Sequence, residues 1–234
     1  MATGQTYVPK VPDSRTITLN MWVSGANPDG SIPRNPTALA TFQANYAALQ
    51  ALFWNIRGQM QLSQVMTYPD GTTHTVIALA EYAGGMQPSM QGQAAAAFSV
   101  DLLLADPFFY GPQITQTLSS STVVNVVGDD RTDAVFFTLS GARNNLRIQN
   151  TTMLAQPYFV YNYSTASGDS VVFDVQNFKV THTPSGSGAY QAAGRISHGA
   201  DPFWLPLVPG NNTIAMSSTS GTGTVSLAYQ PRWF

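Results

Sequence analysis

The chain has 234 residues, 44% hydrophobic and only 9% charged, with a formal net charge of −2 and no cysteine. That length suits one large domain or two of about 100 residues, and the composition excludes disorder, which needs low hydrophobicity and high charge, as well as disulfide frameworks and cysteine-ligated zinc. Ten Lys and Arg spread along the chain form no basic stripe for duplex nucleic acid, and no apolar run nears the ~20 residues of a membrane span.

Met1 to Val11 is polar, with Pro9 and Lys10, and reads as no signal peptide. Arg15 to Val23 alternates, with Ile17, Leu19, Met21 and Val23 on one face of a half-buried strand. Asn27-Pro28-Asp29-Gly30 is a turn. Asn35 to Arg57 predicts the one helix, with Asn35 as cap and Pro36 at its first position. Leu39, Phe42, Tyr46, Leu49, Phe53 and Ile56 form its apolar stripe, and Gly58 ends it. The stripe suits packing on a sheet; a short coiled-coil seam is the rival. Gln59 to Met66 and Thr73 to Glu81 read as a hairpin around Tyr68-Pro69-Asp70-Gly71-Thr72. Gly84-Gly85 opens a segment expected to be mobile, with Met86, Pro88 and Met90. Phe98, Val100, Leu102 and Leu104 alternate with Ser99 and Asp101 in a long strand ending at Asp106-Pro107.

From Gln113 the texture changes. Short β-rich runs alternate with turn clusters such as Gly128-Asp129-Asp130, Ser167-Gly168-Asp169 and Pro209-Gly210-Asn211-Asn212. They predict strands near 113–118, 122–127, 134–140, 145–149, 157–163, 170–175, 177–182, 195–198, 203–205, 212–217 and 223–229, an antiparallel sandwich. The fold class is therefore mainly β with one helix: an α+β domain over 1–110 and a β-sandwich over 111–234.

No catalytic constellation stands out. Phosphate-loop, HExxH and GxSxG signatures are missing. His74, His182 and His198 stand alone and predict no metal site. Glu81, Asp101 and Asp106 could supply a carboxylate pair for glycoside cleavage, but Asp101 alternates outward and Asp106 precedes a proline. Asp129-Asp130-Arg131-Thr132-Asp133 reads as a solvated hairpin tip rather than a calcium loop. Trp204, Tyr190, Tyr158 and Tyr161 are the candidate sugar-stacking aromatics; the same residues would equally fill a sandwich core or a subunit interface. No cofactor is expected.

Four stretches together resemble a known family. They are Asp13 to Val23 with its turn; the helix with Phe42, Asn45, Leu49 and Leu52; Ala105-Asp106-Pro107-Phe108-Phe109-Tyr110; and the C-terminal run through Phe203-Trp204-Leu205, Leu207-Val208-Pro209-Gly210-Asn211-Asn212 and Tyr229-Gln230-Pro231-Arg232-Trp233. Their order and spacing are similar to the distal tail proteins of siphophages, often called minor tail proteins, in versions from phages of actinobacteria. The resemblance implies an N-terminal belt domain and a C-terminal galectin-like β-sandwich. It implies a hexameric ring at the tail tip that joins the tail tube protein to the tail-associated hub protein and to receptor-binding proteins. The chain would then be a non-enzymatic virion protein, assembled in the host cytoplasm, around a channel that DNA crosses without sequence-specific binding or membrane insertion. Relatives usually have a further strand or hairpin before the first strand, whereas here only residues 1–14 precede Arg15. The galectin set of sugar-binding residues is also absent, so galectin shape does not carry galectin activity. A carbohydrate-binding adhesion module for host cell-wall glycans is the alternative.

Overall fold

The computed structural model describes residues 13–54, 58–67, 71–199 and 204–234. The fold is mainly β with a single α-helix among the described residues, as the alternation predicts. The chain divides into two compact units: Met1–Val65 with Ile77–Phe108, and Met66–Val76 with Phe109–Phe234.

The first unit contains β1 (Arg15–Ser24), α1 (Thr37–Trp54), most of β2 (Met60–Thr67) and of β3 (Thr73–Gly85), whose facing ends Met66–Thr67 and Thr73–Val76 belong to the second unit, β4 (Ser89–Met90) and β5 (Ala95–Leu104). β1 pairs antiparallel with β5 from Arg15 opposite Leu104 to Ser24 opposite Ala95. β3 takes the other side of β5, from Glu81 opposite Leu103 to Gly85 opposite Val100. The register sets Ile17, Leu19 and Met21 beside Leu102, Val100 and Phe98 on one face. Helix α1 covers that face. Tyr46 meets Phe98 edge-on at 6.2 Å, and Phe53 meets Tyr82 at 6.1 Å.

Two expectations for the helix change. Its buried residues are Ala38, Phe42 and Phe53, while Leu39 is 40% exposed. The cause is a close approach at Gly25, where any Cβ would overlap the carbonyl oxygen of Ala38. That contact turns the first helical turn so that alanine faces the sheet. Asn35 does not cap the helix; its amide donates to Gln93 Oε1 at 2.9 Å. Ile56 and Arg57 lie outside the described residues, as do Met1 to Val11 and Tyr68-Pro69-Asp70.

The segment after Gly84-Gly85, expected to be mobile, is pinned. Met86 is buried, its N–H donates to the Ser99 carbonyl at 2.7 Å, and its carbonyl accepts the Tyr46 hydroxyl at 3.0 Å. β4 then pairs with Ala96 and Ala97 of β5.

The second unit comprises β6 (Phe109–Tyr110), β7 (Ile114–Leu118), β8 (Ser121–Val126), β9 (Val135–Ser140), β10 (Asn144–Asn150), β11 (Tyr158–Ser164), β12 (Ser170–Asp174), β13 (Lys179–Thr183), β14 (Tyr190–Gln191), the 3₁₀ turn Ala193–Arg195, β15 (Ile196–His198), β16 (Gly210–Ser217), β17 (Thr224–Tyr229) and β18 (Arg232–Trp233). A five-stranded sheet runs β15-β11-β10-β16-β8 and a six-stranded sheet runs β14-β13-β12-β9-β17-β7. Inward residues alternate along each strand and interdigitate, as in other sandwiches. Phe137, Phe159 and Phe173 form the centre, with ring centroids 5.6 and 5.0 Å apart. The run expected as a strand near 203–205 is not one: Trp204 and Leu205 lie outside strands, and Phe203 falls outside the described residues.

Two polar knots hold the loops at one end of the sandwich. Asn150 and Asn212 are fully buried, and Asn150 Nδ2 donates to Asn212 Oδ1 at 2.9 Å. Asn212 also closes the Val208-to-Gly210 turn, donating to Val208 O and accepting from Val208 N–H. The second knot corrects the reading of Asp129 to Asp133 as a solvated tip. Arg232 reaches Asp133 at 3.1 Å and Asp130 at 3.4 Å, and the Phe234 N–H donates to Asp129 at 2.8 Å.

Candidate functional site

The four aromatics singled out from the sequence do not form one exposed platform. Tyr161 is on the inward face of β11 and fully buried. Trp204 is 7% exposed and packs in the core, 5.5 Å from Phe178 and 6.2 Å from Phe159. Neither offers a ring face to a sugar, because the alternation of β11 and the turn at Trp204 direct both inward. Tyr158 is half-buried on the opposite face of β11, with the Arg147 guanidinium 4.0 Å over its ring. Tyr190 is half-buried at the sandwich edge.

Tyr161 and Tyr190 are nevertheless brought together, on His182. That histidine, read from sequence as isolated, is 1% exposed on β13. Its Nδ1 lies 3.0 Å from the Tyr161 hydroxyl and 2.9 Å from the Tyr190 hydroxyl. Its Nε2 lies 3.2 Å from Asp169 Oδ2. Asp169 also accepts the backbone N–H groups of Ala166 and Ser185, each at 2.9 Å. These backbone bonds, with a smaller part from His182, hold its carboxyl below the usual carboxylate range. Arg195 donates to Tyr190 Oη at 2.7 Å and stacks 3.6 Å over the Tyr163 ring. The same guanidinium acts on Tyr161, whose phenol is pushed up chiefly by burial. Strand spacing alone could not show this cluster, since its members come from both sheets, a turn and a 3₁₀ turn. The hint in the sequence was a histidine at an inward position of β13.

The other candidates stay separate. Asp101 lies on the sheet face away from α1 and accepts the Thr18 hydroxyl at 2.6 Å. Glu81, opposite Leu103, lies on that face too. His74 packs against Trp233, with centroids 5.9 Å apart, and His198 Nδ1 lies 2.8 Å from the Gly199 carbonyl. Among the described residues no group of three His, Asp or Glu could hold a metal ion, and no helix is long and apolar enough to cross a membrane.

Residues 127–233 match the family model of the siphovirus-type tail component, C-terminal domain. Comparison with curated proteins finds no match. Among solved structures, the chain is similar to the Dit protein of phage SPP1, described as a paradigm of the hub adsorption apparatus in phages infecting Gram-positive bacteria. The identity is 12%, the match covers 100% of this chain and 84% of that one, and the TM-score is 0.59. Sequence over the sandwich and fold over the whole length thus point the same way: residues 127–233 match the C-terminal domain of the siphovirus-type tail component, and the whole chain shares the fold of the SPP1 Dit protein.

Proposed function

We propose that the chain is a structural subunit of a phage tail tip, with the first unit as a ring-forming belt and the second as a galectin-like domain. Six copies close into a ring that connects the tail tube to the baseplate hub and to host-recognition proteins. The observation that carries this reading is the family match over residues 127–233 together with the full-length similarity to the SPP1 protein. The surface of the first unit supports it. The sheet face away from α1 exposes Trp22 by 63% and Leu79 by 55%, apolar side chains that a neighbouring subunit could cover. No enzymatic role is needed.

The ring predicts a particle of about 150 kDa for six copies of a 25.1 kDa chain, read by native mass measurement alone and with the tube and hub proteins. Antibody to the protein should label the distal end of the tail in electron micrographs. A monomer in the presence of both partners, or label on the capsid or along the tube, overturns the reading. The sugar-binding alternative loses its main support with Trp204 and Tyr161 in the core.

A further inference from the structure

On one side the two sheets of the sandwich end in β7 and β8. Among the described strands β8 pairs only with β16, in an unbroken register from Ser121 opposite Ala215 to Val126 opposite Gly210. The direction of its remaining backbone groups follows from β16. The Met216 N–H donates to Ser120 O, so Met216 faces the β8 side. Thr213 turns the other way: its carbonyl accepts the Thr151 N–H at 2.9 Å, and its N–H donates to Thr152 Oγ1 at 2.8 Å. Val123 stands opposite Thr213, and antiparallel partners of this type point their backbone groups away from each other. Ser121, Val123 and Asn125 therefore aim N–H and C=O at the open edge. Their carbonyls each have one side-chain donor: Ser119 Oγ on Ser121 at 2.9 Å, Gln116 Nε2 on Val123 at 3.4 Å and Tyr229 Oη on Asn125 at 3.0 Å. A carbonyl oxygen has two lone pairs, and no described residue accepts from the Val123 or Asn125 N–H.

Folded proteins guard such an edge with charge, proline, a bulge or a very short strand. β8 uses none of these. No Lys, Arg, Asp, Glu or Pro occurs from Gln113 to Gly128. The ladder has no bulge, and Val123 is 57% exposed on its outer face. At the other ends of the two sheets, β14 and β15 are only 2 and 3 residues long.

The edge also fits its own copy. In an antiparallel pairing about a two-fold axis at Val123, that residue lies opposite Val123 of the second copy, and Ser121 lies opposite the second copy's Asn125. Every one of these pairs joins backbone groups that already face outward. On the exposed face valine meets valine and serine meets asparagine, matched cross-strand pairs of the kind that stabilise a sheet. The neighbouring registers set Val123 against Ser121 or Asn125 and lose the apolar pair. We propose that the free edge of β8 is a self-association seam: β8 of a second copy of this chain docks on it antiparallel, Val123 opposite Val123, and extends the five-stranded sheet. A two-fold contact of this kind joins free chains, or chains of separate rings, and is not the head-to-tail contact that closes a ring. The seam is therefore independent of the proposed ring.

The test is sedimentation of the full chain from about 1 μM to about 100 μM. The mass should double, from 25.1 kDa to about 50 kDa for free chains or from about 150 to about 300 kDa for rings. Val123→Lys and Val123→Glu each set like charges opposite one another and should each abolish the doubling, and an equimolar mixture of the two should restore it. A parent chain that does not double, doubling in either variant alone, or a mixture that does not recover overturns the seam. If the variants do not fold, amide exchange of the parent chain decides. Protection of the Val123 and Asn125 N–H groups should rise by about tenfold or more over that concentration range; unchanged protection overturns the proposal. A chain that stays single and gains this protection only when another tail protein is added gives the edge to that partner, which equally overturns self-pairing.

Discussion

Single contacts decide where this fold has no slack. Gly25 lies against the backbone of Ala38, where a methyl group has no room. Gly25→Ala should lower stability by about 1–3 kcal/mol, the usual range for overpacking, measured as a lower denaturation midpoint. Phe42→Ala, which empties the buried side of α1, should cost about 3–5 kcal/mol, whereas Leu39→Ala should cost less because Leu39 keeps 40% of its surface in water. The helical spacing alone ranks Leu39 and Phe42 together. It cannot see Gly25, which is distant in sequence and sets the rotation of the first turn. Asp169 makes a separate prediction. Its carboxyl is held below its ordinary value by backbone N–H bonds, so the folded state gains stability above the unfolded carboxyl's range of about pH 4 and loses it as pH falls through the lowered one. Acid unfolding of Asp169→Asn should therefore depend less on pH below about pH 4 than that of the parent chain.

Elements show what was readable and what was not. Strict alternation exposed β1, β5 and most sandwich strands, because a period of two reports the buried face directly. It was silent on β18, two residues long, whose role comes from partners about a hundred positions away. Trp233 is 1% exposed, and its ring sits where a Cβ on Gly111 would collide with it. Arg232 beside it binds Asp130 and Asp133. The acidic turn and the terminal Arg-Trp pair looked unrelated in sequence, and only tertiary pairing joins them. Trp233→Ala should cost about 3–5 kcal/mol. Asp130→Ala and Asp133→Ala should each cost about 1 kcal/mol or less, since both carboxylates are partly exposed and screened. The double variant should cost more than the two single changes together, because either carboxylate can hold the guanidinium when the other is gone. The cluster on His182 was hidden for the same reason. Asp169, His182 and Arg195 are spaced evenly along the sequence; the β12–β13 pairing sets Asp169 beside His182, and Tyr190, opposite His182 on β14, holds Arg195.

At the scale of the molecule, the sparse charge of the opening composition becomes a statement about assembly. With 9% charged residues in the whole chain, and with Arg143, Arg147, Arg195 and Arg232 engaged inside the second unit, the cations that could join copies through ion pairs are sparse. The exposed side chains Trp22 and Leu79 offer apolar contact instead. Apolar association strengthens or holds as salt rises, while exposed ion pairs weaken once the Debye length falls to about 3 Å at 1 M salt. If the proposed ring forms through such surfaces, its mass should be unchanged between about 0.1 M and about 1 M sodium chloride. Dissociation into monomers across that range would mean that the ring depends on charge. The few ionised groups at its surface, Glu81 and Asp101 among them, would then be the contacts to examine, rather than the apolar face of the sheet.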